Sequence, residues 1–176
     1  MLADDAAIVP EADSSPRVTL DGDGDYVSLG RIDALDDAQQ LDVTIDFQRS
    51  QVEAGTERLL WNHGRFGIAL EEDTLLLHVA GEDRPFHDAL DIDDAGVGDT
   101  QEHSLHVAVD AGAGRIQAVL DGEIILDEDE LSLDLSYGNA RDWWIGTPWN
   151  RFYEGDVDML ELDDRATFLD DPLDLA

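Results

Sequence analysis

The chain has 176 residues, 43% of them hydrophobic, and sets 43 acidic residues against 10 basic ones for a formal net charge of -33. The apolar share excludes disorder throughout, and the length fits one domain with a buried core. The charge excludes nucleic-acid binding, which needs clustered Lys and Arg against phosphate.

All ten basic residues are arginine and there is no cysteine, so neither a disulfide framework nor a thiolate site is available. A surface this acidic is relieved either by high salt, which shortens the screening length, or by calcium, which carboxylate oxygens bind directly. A halophilic source and a secreted marine protein are the two expectations. No run of about 18 apolar residues occurs, so no membrane insertion is expected. The opening "MLADDAAIVPEADSSP" lacks a basic n-region, so no Sec-type signal is expected and export would follow a route such as type I secretion.

In chain order, residues 1–16 read as a loose N-terminal arm, with two prolines, a Ser pair and scattered acids. Strand signals start at "RVTLDGDGDYVSLG" and recur as "LDVTIDFQ", "ERLLWNH", "FGIAL", "TLLLHVAG", "HSLHVAVD", "RIQAVLDGEII", "DWWIGT" and "DVDMLEL". Each is short and of period two, with turn residues between. "VDAGAGRIQAVLDG" and "ALEEDTLLLHV" read as hairpins, and "DALDDAQQL" supports no more than one helical turn. Short antiparallel strands with regular turns predict an all-β sandwich or barrel. The expected limits are the arm 1–16, a domain over 17–166, and a tail or linker over 167–176.

Five of these stretches, in order, resemble motifs of the laminin-G-like, concanavalin A-like jelly-roll family. "LDGDGDYVSLG" is similar to its opening strand pair, "LDVTIDFQ" to its "FTISAWV" strand, and "RLLWNHGRFGIALEEDTLLLHVAG" to its exposed hairpin region. "HVAVDAGAGRIQAVLDGEII" resembles its "HVA-V-x-G-x-L-x-YVDG" hairpin and "WWIGTPWNRFYEGDVDMLEL" its closing pair. "SLHVAV" replaces the usual "WHHVAV", so the aromatic that commonly precedes the hairpin is missing. The resemblance implies an antiparallel two-sheet jelly-roll β-sandwich over about residues 17–164.

It also implies a structural Ca²⁺ clasping the first and last strands. Asp158 matches the family's Asp in "G-x-I-D", and "DGDGDY" offers Asp23, Asp25 and the carbonyl of Gly24 toward the six to eight oxygens calcium takes. Alternation in "YEGDVDMLEL" places Tyr153, Val157 and Met159 on one face and Asp156, Asp158 and Leu160 on the other. The other reading of Asp158 is an N–H acceptor or a solvated charge. No EF-hand is present, because Ile32 stands where its bidentate Glu belongs. "DIDDAG" (91–96) and "DEDE" (127–130) are weaker acidic candidates.

Catalysis is not expected. A retaining glycosidase needs two carboxylates about 5–5.5 Å apart on an active strand, and the nearest candidate, Glu161 to Ala166, lacks the third Glu and falls on the closing strand. The five histidines show no zinc spacing; His103 and His106 belong on opposite faces of one strand. The tryptophans carry more. Trp143 and Trp144 must face opposite sides, so one fills the core and the other presents a flat ring of the type that stacks on sugars. The loops "TPWNRFY" and "LLWNHGR" place Trp149, Asn150, Arg151, Trp61 and Asn62 at the same rim. The expected role is a non-enzymatic, calcium-stabilised recognition or adhesion module, binding a glycan or surface protein on a cell or virion. The alternative is a structural subunit of a capsid, filament or surface layer, homo-oligomeric or part of a longer chain.

Overall fold

The computed structural model describes residues 2–3, 7–9, 17–52, 54–81, 90–136, 141–149 and 151–169, the first two stretches as backbone only. They form fourteen strands: β1 (Leu2–Ala3), β2 (Ala7–Val9), β3 (Arg17–Asp21), β4 (Tyr26–Gly30), β5 (Gln40–Arg49), β6 (Thr56–Asn62) and β7 (Phe66–Glu71), then β8 (Thr74–Val79), β9 (Leu90–Ile92), β10 (Glu102–Asp110), β11 (Arg115–Leu120), β12 (Glu123–Glu128), β13 (Trp143–Gly146) and β14 (Glu154–Asp163). The one helical turn, Asp33–Leu35, falls in "DALDDAQQL".

Two seven-stranded antiparallel sheets result. Sheet one runs β1-β4-β13-β6-β7-β8-β9 and sheet two β12-β11-β10-β5-β14-β3-β2. β5 shows why they stack. Leu41, Val43, Ile45 and Phe47 are fully buried while Gln40, Asp42, Thr44, Asp46 and Gln48 are not, so one face must be covered. Sheet one supplies the cover with Leu60, Phe66, Ile68, Leu70, Leu75, Leu77, Trp143 and Ile145. The fold is thus an all-β, two-sheet β-sandwich of the jelly-roll type, with β3 and β14 side by side. Arg49 and Glu57 are paired at 2.8 Å inside it, and Arg49 also donates to the carbonyls of Glu72 and Val97. These bonds offset the cost of a buried charge.

Three expectations change. Within the stretch read as a loose arm, β1 pairs with β4 and β2 with β3, so the arm adds a short edge strand to each sheet. The chain remains part of the fold past residue 166: the backbone of Leu169 exchanges two hydrogen bonds with the side chain of Gln117, and Thr167 donates its N–H to Asp42. Residues 170–176 lie outside the described set. Finally, β14 is bulged at Asp158, for Val157 opposes Phe47 and Met159 opposes its neighbour Asp46. The extra residue inverts the alternation beyond it, so Leu160 and Leu162, not Met159, pack against the core.

Candidate functional site

On the outer face of sheet one, the register sets Trp144, Trp61, Gly67 and His78 side by side across β13, β6, β7 and β8. Trp143 turns inward and is 1% exposed, which sends Trp144 outward. Trp61 lies flat over Gly67, where a β-carbon would stand 2.3 Å from its ring. The His78 ring meets Trp61 edge-on, centroids 5.0 Å apart. Trp149, in the loop after β13, is 54% exposed; it stands 5.1 Å from Trp144 at 72° and 5.8 Å from His63.

Arginines join this aromatic row. The Arg58 guanidinium stacks 4.3 Å above Trp61, a cation–π contact. Three residues apart on a regular strand, Arg58 and Trp61 would face opposite ways; a bulge between Arg58 and Leu60 puts them on one face. The Arg58 N–H bonds the Arg151 carbonyl at 2.9 Å, and Arg151 has φ +59°, a left-handed conformation uncommon outside glycine. Asn62 donates to the carbonyls of Arg141 and Asp142, at 3.2 and 3.4 Å, tying the end of β6 to the start of β13.

Burial and neighbouring arginines act on both histidines of this face. Burial, then Arg58 and Arg151, push His78 down to about 4. Burial, then Arg141 and Arg58, lower His63, and burial followed by Arg151 lowers Arg58 itself. Both histidines are therefore neutral at pH 7 and can donate and accept hydrogen bonds. Flat rings, guanidinium forks and neutral imidazoles together suit a ligand with apolar ring faces and polar edges.

Of the rim residues named from sequence, Trp149 and Arg151 are exposed. Trp61 and Asn62, expected at the surface, are 3% and 2% exposed; they support the face from beneath, because β6 is an interior strand of its sheet. Asn150 lies outside the described residues. Sequence reasoning missed Arg58, Arg141 and His78. The spacing of Arg58 from Trp61 argues against a shared face, and only the bulge brings them together.

The calcium clasp does not fit its residues. Asp158 places Oδ1 2.8 Å from Arg17 Nε, and its other oxygen is buried without a hydrogen-bond partner. Asp23 and Asp25 follow the opposite end of β3, where β14 presents Glu154 rather than Asp158. Asp25, 1% exposed, accepts the N–H of Asp21, and Gly24 makes the turn at φ +95°. The site chosen from sequence is thereby split, with a guanidinium holding the intended anchor, far short of an oxygen shell for calcium. Among the described residues no three His, Cys, Asp or Glu converge as metal ligands. In "DEDE", Asp127 pairs with Arg115 at 3.0 Å. The "DIDDAG" acids share a shallow cavity with Glu71, Glu72 and Asp73, where Asp73 accepts the N–H groups of Gly96 and Gly98.

No protein-family model and no curated protein matches the sequence. Solved structures do match the fold. The CBM40 domain of the Ruminococcus gnavus IT-sialidase, bound to α2,3-sialyllactose, superimposes with a TM-score of 0.73 at 13% identity, over 90% of this chain and 95% of that one. Domain 4 of AbnA, a GH43 extracellular arabinanase from Geobacillus stearothermophilus in complex with arabinotriose, gives 0.70 at 17% identity over 99% and 82%. The binding domain of botulinum neurotoxin DC, in complex with rat synaptotagmin II, gives 0.66 at 9% identity over 99% and 44%.

Proposed function

We propose that the chain is a non-catalytic carbohydrate-binding module acting at a cell or particle surface, with its site on the outer face of sheet one. The observation that carries this reading is Trp149, half exposed and braced edge-on by Trp144, on the face where Arg58 lies over Trp61. An indole held that way is pre-organised, so little rotamer freedom is lost when a sugar ring stacks on it. The ordered likeness to laminin-G-like motifs supports the reading. So do fold neighbours described as bound to sialyllactose and arabinotriose, although that likeness concerns the fold.

The test is a glycan array followed by calorimetric titration of the best glycan, with native protein and Trp149→Ala at fixed ionic strength. Anchoring aromatics carry about 2 kcal/mol or more of binding, so affinity should fall about thirtyfold or more. Unfolding free energy should stay within about 0.5 kcal/mol of native, since the ring is half exposed. Failure of the native protein to bind any glycan, or equal affinity in the variant, would overturn the proposal.

A further inference from the structure

Resting on the glycan-binding reading, we infer that the site takes a single sugar ring of a soluble glycan, stacked on Trp149, and not the flat face of an insoluble polysaccharide or an extended run of sugars. The first ground is which indole faces are open. Trp143 lies in the core at 1% exposure. Trp61 is 3% exposed, with one side of its ring against Gly67 and the Arg58 guanidinium 4.3 Å over the ring. Neither indole offers a sugar a face to lie on. Trp144 is partly buried. Among the described residues the exposed large hydrophobic side chains are Leu29, Val52 and Trp149, and only the last carries a ring.

The second ground is the angle between the rings that surround Trp149. A flat polysaccharide face presents its sugars in one plane, so every aromatic that stacks on it must lie near that plane. The rings here do not. Trp144 stands at 72° to Trp149 with centroids 5.1 Å apart, and His63 at 59° with centroids 5.8 Å apart. In the tryptophan pair the edge of one ring therefore touches the face of the other. The rings form a corner where a platform would need them parallel. A sugar lying on Trp149 fills that corner, and the next sugar of a straight chain meets no parallel ring. Stacking is thereby limited to one sugar, with the rest of recognition left to polar groups at its edge.

The test trims the ligand. The best glycan from the array and the methyl glycosides of its constituent sugars are titrated into the native protein by calorimetry, and crystalline cellulose and chitin are offered in a sedimentation assay. One methyl glycoside should bind within about tenfold of the whole glycan, short of the roughly thirtyfold that a second anchoring aromatic carries. With both crystals the protein should stay in the supernatant. Trp149→Ala, at an exposed position that leaves the fold intact, should weaken that glycoside and the whole glycan by the same factor. If every methyl glycoside binds more than tenfold more weakly, if either crystal retains the native protein, or if the variant loses the glycoside and keeps the whole glycan, the single-ring inference is overturned and the glycan reading stands. If the native protein binds no glycan at all, both fall. Whether the glycoside that binds is that of the terminal sugar or of an interior one identifies a chain end or a chain side as the part recognised.

Discussion

The sandwich has two outer faces, built from the same alternation and put to opposite use. Sheet one shows solvent a row of aromatics with arginines. Sheet two turns out Asp42, Asp46, Asp110, Asp127, Glu161 and Asp163, and part of it is roofed by residues 164–169. There Gln117, fully buried, satisfies both backbone groups of Leu169, and Arg115 lies 4.3 Å over the Phe168 ring. On the first face, proposed above as the binding surface, a small residue, Gly67, lets an indole lie flat. The carboxylates of the second face repel one another, and salt screens that repulsion.

The roof offers the largest way to break this comparison. Leu169→Ala removes a buried side chain and should lower the unfolding free energy by about 2–3 kcal/mol, read as a denaturant midpoint with unchanged m-value. Glycan affinity should be untouched, since the lesion lies on the opposite sheet. Gly67→Ala is the counterpart on the first face. Its new methyl would collide with the Trp61 ring, costing about 1–3 kcal/mol by overpacking and, by moving Trp61 and the guanidinium above it, weakening glycan binding as well. A Gly67→Ala protein that binds normally would detach Trp61 from the site.

Acid sharpens the contrast next. His78 protonates near pH 4 in the fold against 6.5 when unconstrained. Its contribution to stability is therefore complete above pH 6.5 and is lost as the pH falls toward 4, because the unfolded chain takes up the proton first. His78→Gln should flatten that part of the stability profile, measured by denaturant titration at pH 7, 6, 5 and 4. The smallest effect belongs to the exposed pair on the acidic face. Asp127→Ala removes the partner of Arg115 and should cost about 0–1 kcal/mol.

Strand positions, the single helical turn and the inward and outward division of Trp143 and Trp144 are all legible in the chain, because period-two patterning and turn residues are local properties. So is the separation of His103, which packs against Phe47 at 5.6 Å, from His106, which reaches Asp42 on the outer face. The role of Asp158 was not legible: its partner Arg17 is 141 positions away, and the resemblance pointed to a cation where a guanidinium sits.

By itself, then, the sequence determined an all-β chain with a buried core, an acidic surface and a surplus tryptophan turned to solvent. The tertiary structure alone decided that Arg58 lies over Trp61 and that Asp158 is paired with Arg17. Both outcomes depend on single-residue bulges, between Arg58 and Leu60 and at Asp158. A bulge changes the facing of every residue beyond it while leaving the local apolar rhythm almost intact, so it is settled by cross-strand pairing and not by the strand's own pattern.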